Sequence, residues 1–159
     1  MIIGFHHPGI STPDLDRAVA FYCDHLGFEV KKRQEWSKGS KTADDLHRLK
    51  DSAGRSALLR LAPRDNEEDS RRAEVMVEFL EFESPEPAPL DPNRRVCESG
   101  IAHMCFVVDD CQADYERLVK AGMDFHCPPM GGGTGARLAY GRDPDGNIIE
   151  LLELPKRSA

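Results

Sequence analysis

Apolar residues recur at helical spacing once in each half of the chain. The first predicted helix begins with Thr12 as its cap and stops at Gly27. The second opens at Asp109 or Asp110 and stops at Gly122. Their buried faces are predicted to be Leu15, Ala18, Val19, Tyr22 and Leu26 in the first helix, and Cys111, Tyr115, Leu118 and Val119 in the second.

Three strand-like runs follow each helix, and a short apolar strand precedes it. The runs are FEVKKRQEW, RSALLRLA and VMVEFLEF in the first half, and DFHCPP, RLAYGR and NIIELLEL in the second. The sequence DPDGN is a strong turn signal before the last run. When His7 is set against His103, Asp14 falls on Asp110. The chain is therefore predicted to be an internal repeat of strand, helix and three strands.

The repeat predicts one domain over residues 1–159, built from two modules. The modules cover about 1–83 and 101–155, and a proline-rich linker joins them over 84–100. Two polar insertions make the first module longer, SKGSKTADDLHRLKDSAG and PRDNEEDSRR. The second insertion is highly charged, so we expect it to be a solvated loop.

Both modules place a glutamate inside an apolar strand. Glu78 lies in VMVEFLEF, and Glu150 lies in NIIELLEL. A buried charge costs several kcal/mol unless a partner offsets it. Strand alternation puts Glu81 and Glu153 on the face opposite to Glu78 and Glu150, so we expect them to point away, partly exposed.

Each module also provides one histidine near the start of its first strand. His7 and His103 occupy equivalent positions of the repeat, whereas the neighbouring His6 is expected on the opposite strand face. Two imidazoles and two carboxylates that converge would form a divalent-metal site suited to Zn, Ni, Co, Mn or Fe(II). The cation would also explain why Glu78 and Glu150 are buried. The predicted ligands are therefore His7, Glu78, His103 and Glu150.

The charge, the hydropathy and the cysteine pattern disfavour several classes of protein. The net charge of −7 and the pI of about 5.4 disfavour non-specific binding to nucleic acid or to an anionic membrane. No segment approaches a membrane span, and the N-terminus lacks the pattern of a signal peptide. Five irregularly spaced cysteines form no CxxC zinc pattern and no disulfide framework. Reduced thiols and a cytoplasmic location are expected.

The chain resembles the vicinal oxygen chelate superfamily, which includes glyoxalase I, methylmalonyl-CoA epimerase, extradiol dioxygenases and bleomycin-resistance proteins. The segments that carry the resemblance are HPGISTPDLDRAVAFYCDHLGF, VEFLEF, GIAHMCFVVDD and LAYGRDPDGNIIELLE. It implies an α+β fold of two βαβββ modules whose mixed sheets curl into a cup. It also implies one divalent-metal ligand at each of the positions His7, Glu78, His103 and Glu150. Members are often homodimers, so the site is built within one chain or between subunits.

The expected activity is that of a lyase or isomerase of the glyoxalase or epimerase type. The metal, Ni, Co, Zn or Mn, would act as a Lewis acid toward a carbonyl of a small organic substrate. Glu78 and Glu150 are the candidate catalytic groups for proton transfer. Arg137 and Tyr140, which follow the glycine-rich run PPMGGGTGAR, are candidates for contact with substrate.

Two alternatives remain open at this point. One is an Fe(II) extradiol-type dioxygenase, although a fourth ligand such as Glu78 would crowd an oxygen site. The other is a metal-free small-molecule-binding resistance protein. The family patterns for individual substrates are incomplete here: Ser11 and Phe82 stand where bacterial glyoxalase I has an Arg and an Asn for glutathione, and the epimerase stretch Glu-Gln-Gly-Val is absent.

Overall fold

The first half of the chain folds as a strand, a helix and three strands, with one additional short helix. The structure is a computed structural model that describes residues 1–62, 74–88, 91–131 and 135–155. The chain divides into two units, residues 1–90 and 91–159. The elements of unit 1 are β1 (Gly9–Ser11), α1 (Leu15–Leu26), β2 (Phe28–Trp36), α2 (Lys41–His47), β3 (Ala53–Leu61) and β4 (Met76–Ser84).

Unit 2 has the same order of strand, helix and strands, but a short strand, Met130–Gly131, stands where unit 1 has its second helix. Its elements are β5 (Met104–Val108), α3 (Cys111–Lys120), β6 (Asp124–Phe125), β7 (Met130–Gly131), β8 (Arg137–Arg142) and β9 (Ile148–Glu153). The sheet of unit 1 has the strand order β1-β4-β3-β2, and that of unit 2 has the order β5-β9-β8-β6, with β7 paired to β8. In each sheet the first strand runs parallel to the last, and the other neighbours are antiparallel. The predicted α+β fold of two βαβββ modules is confirmed.

Both predicted helices form, and an aspartate caps each one. The side chain of Asp14 accepts a hydrogen bond from the Arg17 N–H at 3.0 Å, and Asp110 does the same for Ala113 at 3.0 Å. The prediction of Thr12 as the first cap was wrong, because its hydroxyl pairs with the backbone of Asp14 instead. Gly27 ends α1 at φ 74°, as predicted.

The core of each unit lies between its helix and one face of its sheet. In unit 1 the Tyr22 ring packs against Phe79 at 4.7 Å between centroids, and both side chains are fully buried. In unit 2 Leu118 of α3 and Ile149 of β9 are fully buried. Each such side chain contributes about 1.5–3 kcal/mol of hydrophobic stabilisation. The prediction for Val119 was wrong: it is 44% exposed.

The insertions and the last turn complete the fold. Helix α2 forms inside the first polar insertion, where Ser40 caps it. The second insertion lies in 63–73 and outside the described residues, as do residues 132–134 of the glycine-rich run. The DPDGN turn forms as predicted, with Asp143 accepting hydrogen bonds from the backbone N–H groups of Asp145 and Asn147. In the described part of the chain, no helix combines the length and apolar character needed to cross a lipid bilayer.

Candidate metal centre

In unit 1 the fold brings His7 and Glu78 together. Strand β1 pairs in parallel with β4, so that Gly9 lies opposite Glu78, and the Pro8 carbonyl accepts the Glu78 N–H at 3.0 Å. His7 Nε2 then lies 3.2 Å from Glu78 Oε2. The other carboxylate oxygen of Glu78 accepts a hydrogen bond from the buried hydroxyl of Ser56 at 3.0 Å. Both side chains keep part of their surface open, 29% for His7 and 21% for Glu78.

Unit 2 builds the same pair from equivalent elements. Strand β5 pairs in parallel with β9, and Cys105 lies opposite Glu150. His103 Nε2 lies 2.9 Å from Glu150 Oε2, and the Glu150 side chain is only 13% exposed. The other ring nitrogen of His103, Nδ1, is buried and has no hydrogen-bond partner among the described residues.

The two histidines lie just before the strands rather than on them. Strand β1 begins at Gly9, two residues after His7, and β5 begins at Met104, directly after His103. Pro8 has no N–H to give to a ladder, which accounts for the late start of β1. The predicted face of His6 was also wrong. Its Nδ1 lies against Nδ1 of His7, and the side chain is exposed.

Two ionisable neighbours flank Glu150. Partial burial, the nearby charge of Glu150 and a hydrogen bond to it raise the pKa of the Cys105 thiol to about 11. Tyr140 lies directly across from Glu150 on β8, and its ring lies 5.0 Å from that of His103. Burial, followed by the charge of Glu150, raises the pKa of the Tyr140 hydroxyl. Sequence reasoning missed Cys105, although its register position opposite Glu150 could have indicated it.

Arg137 and Tyr140 are three residues apart on β8, so they point to opposite faces of the sheet. Tyr140 shares the face of Glu150, whereas Arg137 donates from its Nη2 to Gln112 of α3 at 3.3 Å. The structure therefore brings Tyr140 to the His103–Glu150 pair and places Arg137 on the helix face.

Glu81 and Glu153 point away from the two pairs, toward the helices. Glu81 accepts the backbone N–H of Leu15 at 3.0 Å, and Glu153 accepts that of Cys111 at 2.9 Å. Each carboxylate thus meets the positive N-terminal end of its helix. Arg55 adds an ion pair to Glu81 at 2.7 Å. These two glutamates fasten helix to sheet in both units, a role that the sequence analysis did not predict.

The donor atoms of each His–Glu pair lie at hydrogen-bonding distance, which is also about the distance between two ligands of one cation. Two donors held about 2.1 Å from one cation at angles of 90–109° lie about 3.0–3.4 Å apart. The observed N–O distances of 3.2 and 2.9 Å are close to this range. Within residues 1–62, 74–88, 91–131 and 135–155, no group of three or more His, Cys, Asp or Glu side chains is arranged to hold a metal ion. Each unit brings one histidine and one glutamate together, and the binding of a metal by these pairs stays a prediction.

The fold agrees with a comparison to known families. The model of the Glyoxalase/Bleomycin resistance protein/Dioxygenase superfamily matches residues 4–151. The chain belongs to this superfamily. Among solved structures, a glyoxalase family protein from Bacillus cereus matches with a TM-score of 0.79 at 20% identity, covering 96% of this chain and 95% of that one. Similarity at that identity shows the shared fold.

Three proteins of similar sequence include one uncharacterised protein and two named enzymes. An uncharacterised protein of Escherichia coli K12, YaeR, is 28% identical over 93% of this chain and 94% of its own length. The 2-epi-5-epi-valiolone epimerase of an Actinomyces species is 27% identical over 96% of this chain and 80% of its own. Glyoxalase I of Saccharomyces cerevisiae is 24% identical over 92% of this chain, which spans 44% of that enzyme.

Proposed function

We propose that the protein is a divalent-metal-dependent lyase or isomerase that catalyses proton transfer next to a carbonyl of a small organic substrate. The observation that carries the proposal is the repetition of a His–Glu pair, His7–Glu78 and His103–Glu150, at equivalent register positions of two sheets. Two repeated modules can share a fold without sharing a histidine and a glutamate at equivalent positions. The recurrence of both residues therefore favours a shared chemical role. Relatives named as glyoxalase I and as an epimerase support the reaction class.

The four residues would together bind one cation, in one chain or between two subunits. The metal, Ni, Co, Zn or Mn, would supply Lewis acidity toward a carbonyl or enediolate oxygen. The neutral imidazoles of His7 and His103 would donate through Nε2, the atoms that face the carboxylates. The positive charge of the cation would offset the cost of burying the two carboxylates.

Glu78 and Glu150 are the groups that would carry the proton. Each is bound through one oxygen to its histidine, and Glu78 holds its second oxygen against the Ser56 hydroxyl. One of these carboxylates would accept the substrate proton as a general base and would then return it to the neighbouring carbon. The hydroxyl of Tyr140 lies on the Glu150 face, where it would orient a substrate oxygen. Contact of Arg137 with substrate stays a prediction.

The first test is elemental analysis of gently purified protein. Wild type, His7→Ala and His103→Ala are compared with one control, His25→Ala on α1. We expect near-stoichiometric Ni, Co, Zn or Mn in wild type and control, and its loss in both ligand variants. Absence of metal after reconstitution would contradict the proposal and leave a metal-free binding protein.

Iron in place of these metals would redirect the function to the dioxygenase alternative. Oxygen uptake on catechols then becomes the deciding assay, and its absence excludes ring cleavage. The crowded His/Glu/His/Glu donor set favours isomerisation, because an oxygen-activating Fe(II) centre keeps open positions for substrate and O₂.

The assembly and the location of the protein also stay predictions. A homodimer is expected, and a cytoplasmic location fits the cysteine pattern. Analytical ultracentrifugation with and without metal tests the first. If subunits share the site, mixing His7→Ala with His103→Ala protein restores metal binding to part of the population. If each chain holds its own cation, mixing restores none.

A further inference from the structure

Lys32 differs from the other cationic side chains around it on the sheet of unit 1. Lys31 and Arg33, its neighbours on β2, each form an ion pair with a carboxylate. Arg55 and Arg60 on β3 are also paired with carboxylates. Lys32 is exposed, and within the described residues it makes no hydrogen bond or ion pair. Its ammonium group is therefore available to a ligand.

The register places Lys32 on the same sheet face as Glu78. Lys32 lies directly opposite Leu58, and Leu58 lies directly opposite Glu78. Side chains that are directly opposite one another on neighbouring strands share a face of the sheet. Arg33 takes the other face, because its partner Asp16 lies on α1. Lys32 thus faces the side of the candidate ligand, whereas the next cation along β2 faces the helix.

A second donor accompanies Lys32 on this face. Gln34 lies two residues further along β2, opposite Ser56, whose hydroxyl donates to Glu78. Two residues of strand separate the Cα atoms of Lys32 and Gln34 by about 7 Å. The Gln34 side chain is exposed, and no hydrogen bond engages it in the part of the chain that the structure describes. We call Lys32 and Gln34 the donor edge, because they present an ammonium and an amide NH₂.

The donor edge lies within reach of a small molecule bound at Glu78. Two strand spacings separate Lys32 from Glu78, so their Cα atoms lie about 10 Å apart. An extended lysine side chain is about 6 Å long. When it leans over half-buried Leu58, about 4 Å of that separation remains. An acidic group two or three bonds away from an oxygen on the metal spans such a gap.

Unit 2 has a nitrogen donor at the corresponding place of its sheet. Glu150 lies opposite Tyr140, and the backbone N–H of His126 donates to the Tyr140 carbonyl at 2.8 Å. His126 therefore lies two strands away from Glu150, as Lys32 lies two strands away from Glu78. The His126 side chain is also exposed. Both units thus combine a glutamate with a nitrogen donor two strands away, although one donor is a lysine and the other a histidine.

We propose that the donor edge binds a second acidic group of the substrate, while other oxygens of the substrate face the metal held at His7 and Glu78. The net charge of −7 disfavours the approach of an anion, so a local cation is needed to hold one. Lysine supplies it through a charge-assisted hydrogen bond to a carboxylate or phosphate. The substrate class is therefore a carbonyl or hydroxy acid with a further acidic group, and this assignment rests on the proposed function.

The test uses pairs of ligands that share their chelating oxygens and differ in the distal charge. Malate is compared with its 4-amide, and 3-phosphoglycerate is compared with glycerate. Calorimetry on metal-loaded protein measures the four dissociation constants. Lys32→Met removes the cation, and Lys32→Arg keeps it. Lys120→Met is the control, because Lys120 is exposed on α3 and its replacement changes the net charge equally.

We expect wild type to bind malate or 3-phosphoglycerate about tenfold more tightly than the partner ligand that lacks the distal charge. A preference in the malate pair alone identifies a carboxylate, and one in the phosphoglycerate pair alone identifies a phosphate. Lys32→Met should remove most of the preference and leave binding of the uncharged partner unchanged. Lys32→Arg and Lys120→Met should keep the preference. Circular dichroism confirms that the variants are folded.

A second measurement follows the donor edge without relying on the metal. Acetic anhydride acetylates exposed lysines, and peptide mass spectrometry gives the rate at each one. Malate or 3-phosphoglycerate should slow the acetylation of Lys32 but not that of Lys120, relative to chloride at the same ionic strength. The rates are measured on metal-loaded and on metal-stripped protein.

The outcomes separate this inference from the proposed function. Equal or absent binding of both members of each pair by metal-loaded wild type, or an undiminished preference in Lys32→Met, overturns the donor edge and leaves the metal chemistry standing. If no metal binds, yet malate or 3-phosphoglycerate still protects Lys32, the donor edge holds and the proposed function fails. If neither metal binding nor protection of Lys32 is found, both fail.

Discussion

The two His–Glu pairs have the same donors but different surroundings. Glu78 lies between Gly9 and Leu58 in the register of its sheet, and a serine hydroxyl supports it. Glu150 occupies the equivalent place between Cys105 and Tyr140. The first carboxylate therefore has one neutral hydrogen-bond donor and an open side over a glycine. The second is enclosed by two weak acids. The comparison shows that the two repeats keep the same His–Glu pair, whereas the residues that surround the pair differ.

The largest expected effect comes from breaking either pair. Replacing His103 by Ala or Glu150 by Gln removes a donor from the more enclosed pair, and His7→Ala does so for the more open pair. We expect metal affinity to fall by more than about 100-fold in each, since even outer-shell changes cost 10–100-fold. Competition with a fluorescent chelator measures the dissociation constants. A variant that retains wild-type affinity removes its residue from the ligand set.

The second prediction concerns Cys105, which lies opposite Glu150 where unit 1 has Gly9 opposite Glu78. Because the pKa of Cys105 is raised to about 11, its thiol stays protonated at neutral pH in the metal-free protein. Its alkylation rate should therefore rise about tenfold per pH unit and level off only near pH 11. Glu150→Gln removes the charge that helps to raise this pKa, so the rate at pH 8 should increase severalfold. Peptide mapping after timed iodoacetamide treatment follows Cys105, with exposed Cys97 as the internal reference. If Glu150→Gln leaves the alkylation rate unchanged, the charge of Glu150 does not raise the pKa of the Cys105 thiol.

The third prediction concerns the hydroxyl that supports Glu78. Ser56→Ala leaves the four candidate ligands in place but removes the hydrogen bond to Glu78 Oε1. The carboxylate keeps its contact with His7 but is held less firmly, and we expect metal affinity to fall by about 10–100-fold. The matched change in unit 2 is Tyr140→Phe, which removes a hydroxyl on the Glu150 face. If Glu78 and Glu150 have different roles, Ser56→Ala should weaken metal binding more, and Tyr140→Phe should affect turnover more. Equal effects on both readouts would make the two carboxylates equivalent.

The sequence predicted what depends on periodicity and missed what depends on tertiary contact. The positions of α1, β4 and β9 followed from apolar spacing and from turn residues such as those of DPDGN. The repeat singled out His7, Glu78, His103 and Glu150, and the structure brings them together as two pairs, whereas the convergence of all four on one cation stays a prediction. The neighbours Cys105 and Ser56 were missed, because strand register decides which side chain lies opposite which. Helix α2 was missed because its seven residues are mostly polar and its stability depends on Asp44 and its contacts with the following loop.

The smallest expected effect concerns the glutamates that fasten each helix to its sheet. Glu81→Gln and Glu153→Gln keep the size of the side chain but remove the charge that faces the helix N-terminus. We expect each to lower the free energy of unfolding by about 1–2 kcal/mol. Glu81 also pairs with Arg55, so its replacement should cost more than that of Glu153. Denaturant titration gives both values, and Arg55→Met tests the origin of the difference. In that background the two glutamine substitutions should cost the same, because the remaining interaction is then a single carboxylate and a single helix end in each unit. A difference that persists without Arg55 would place its origin elsewhere in the two repeats.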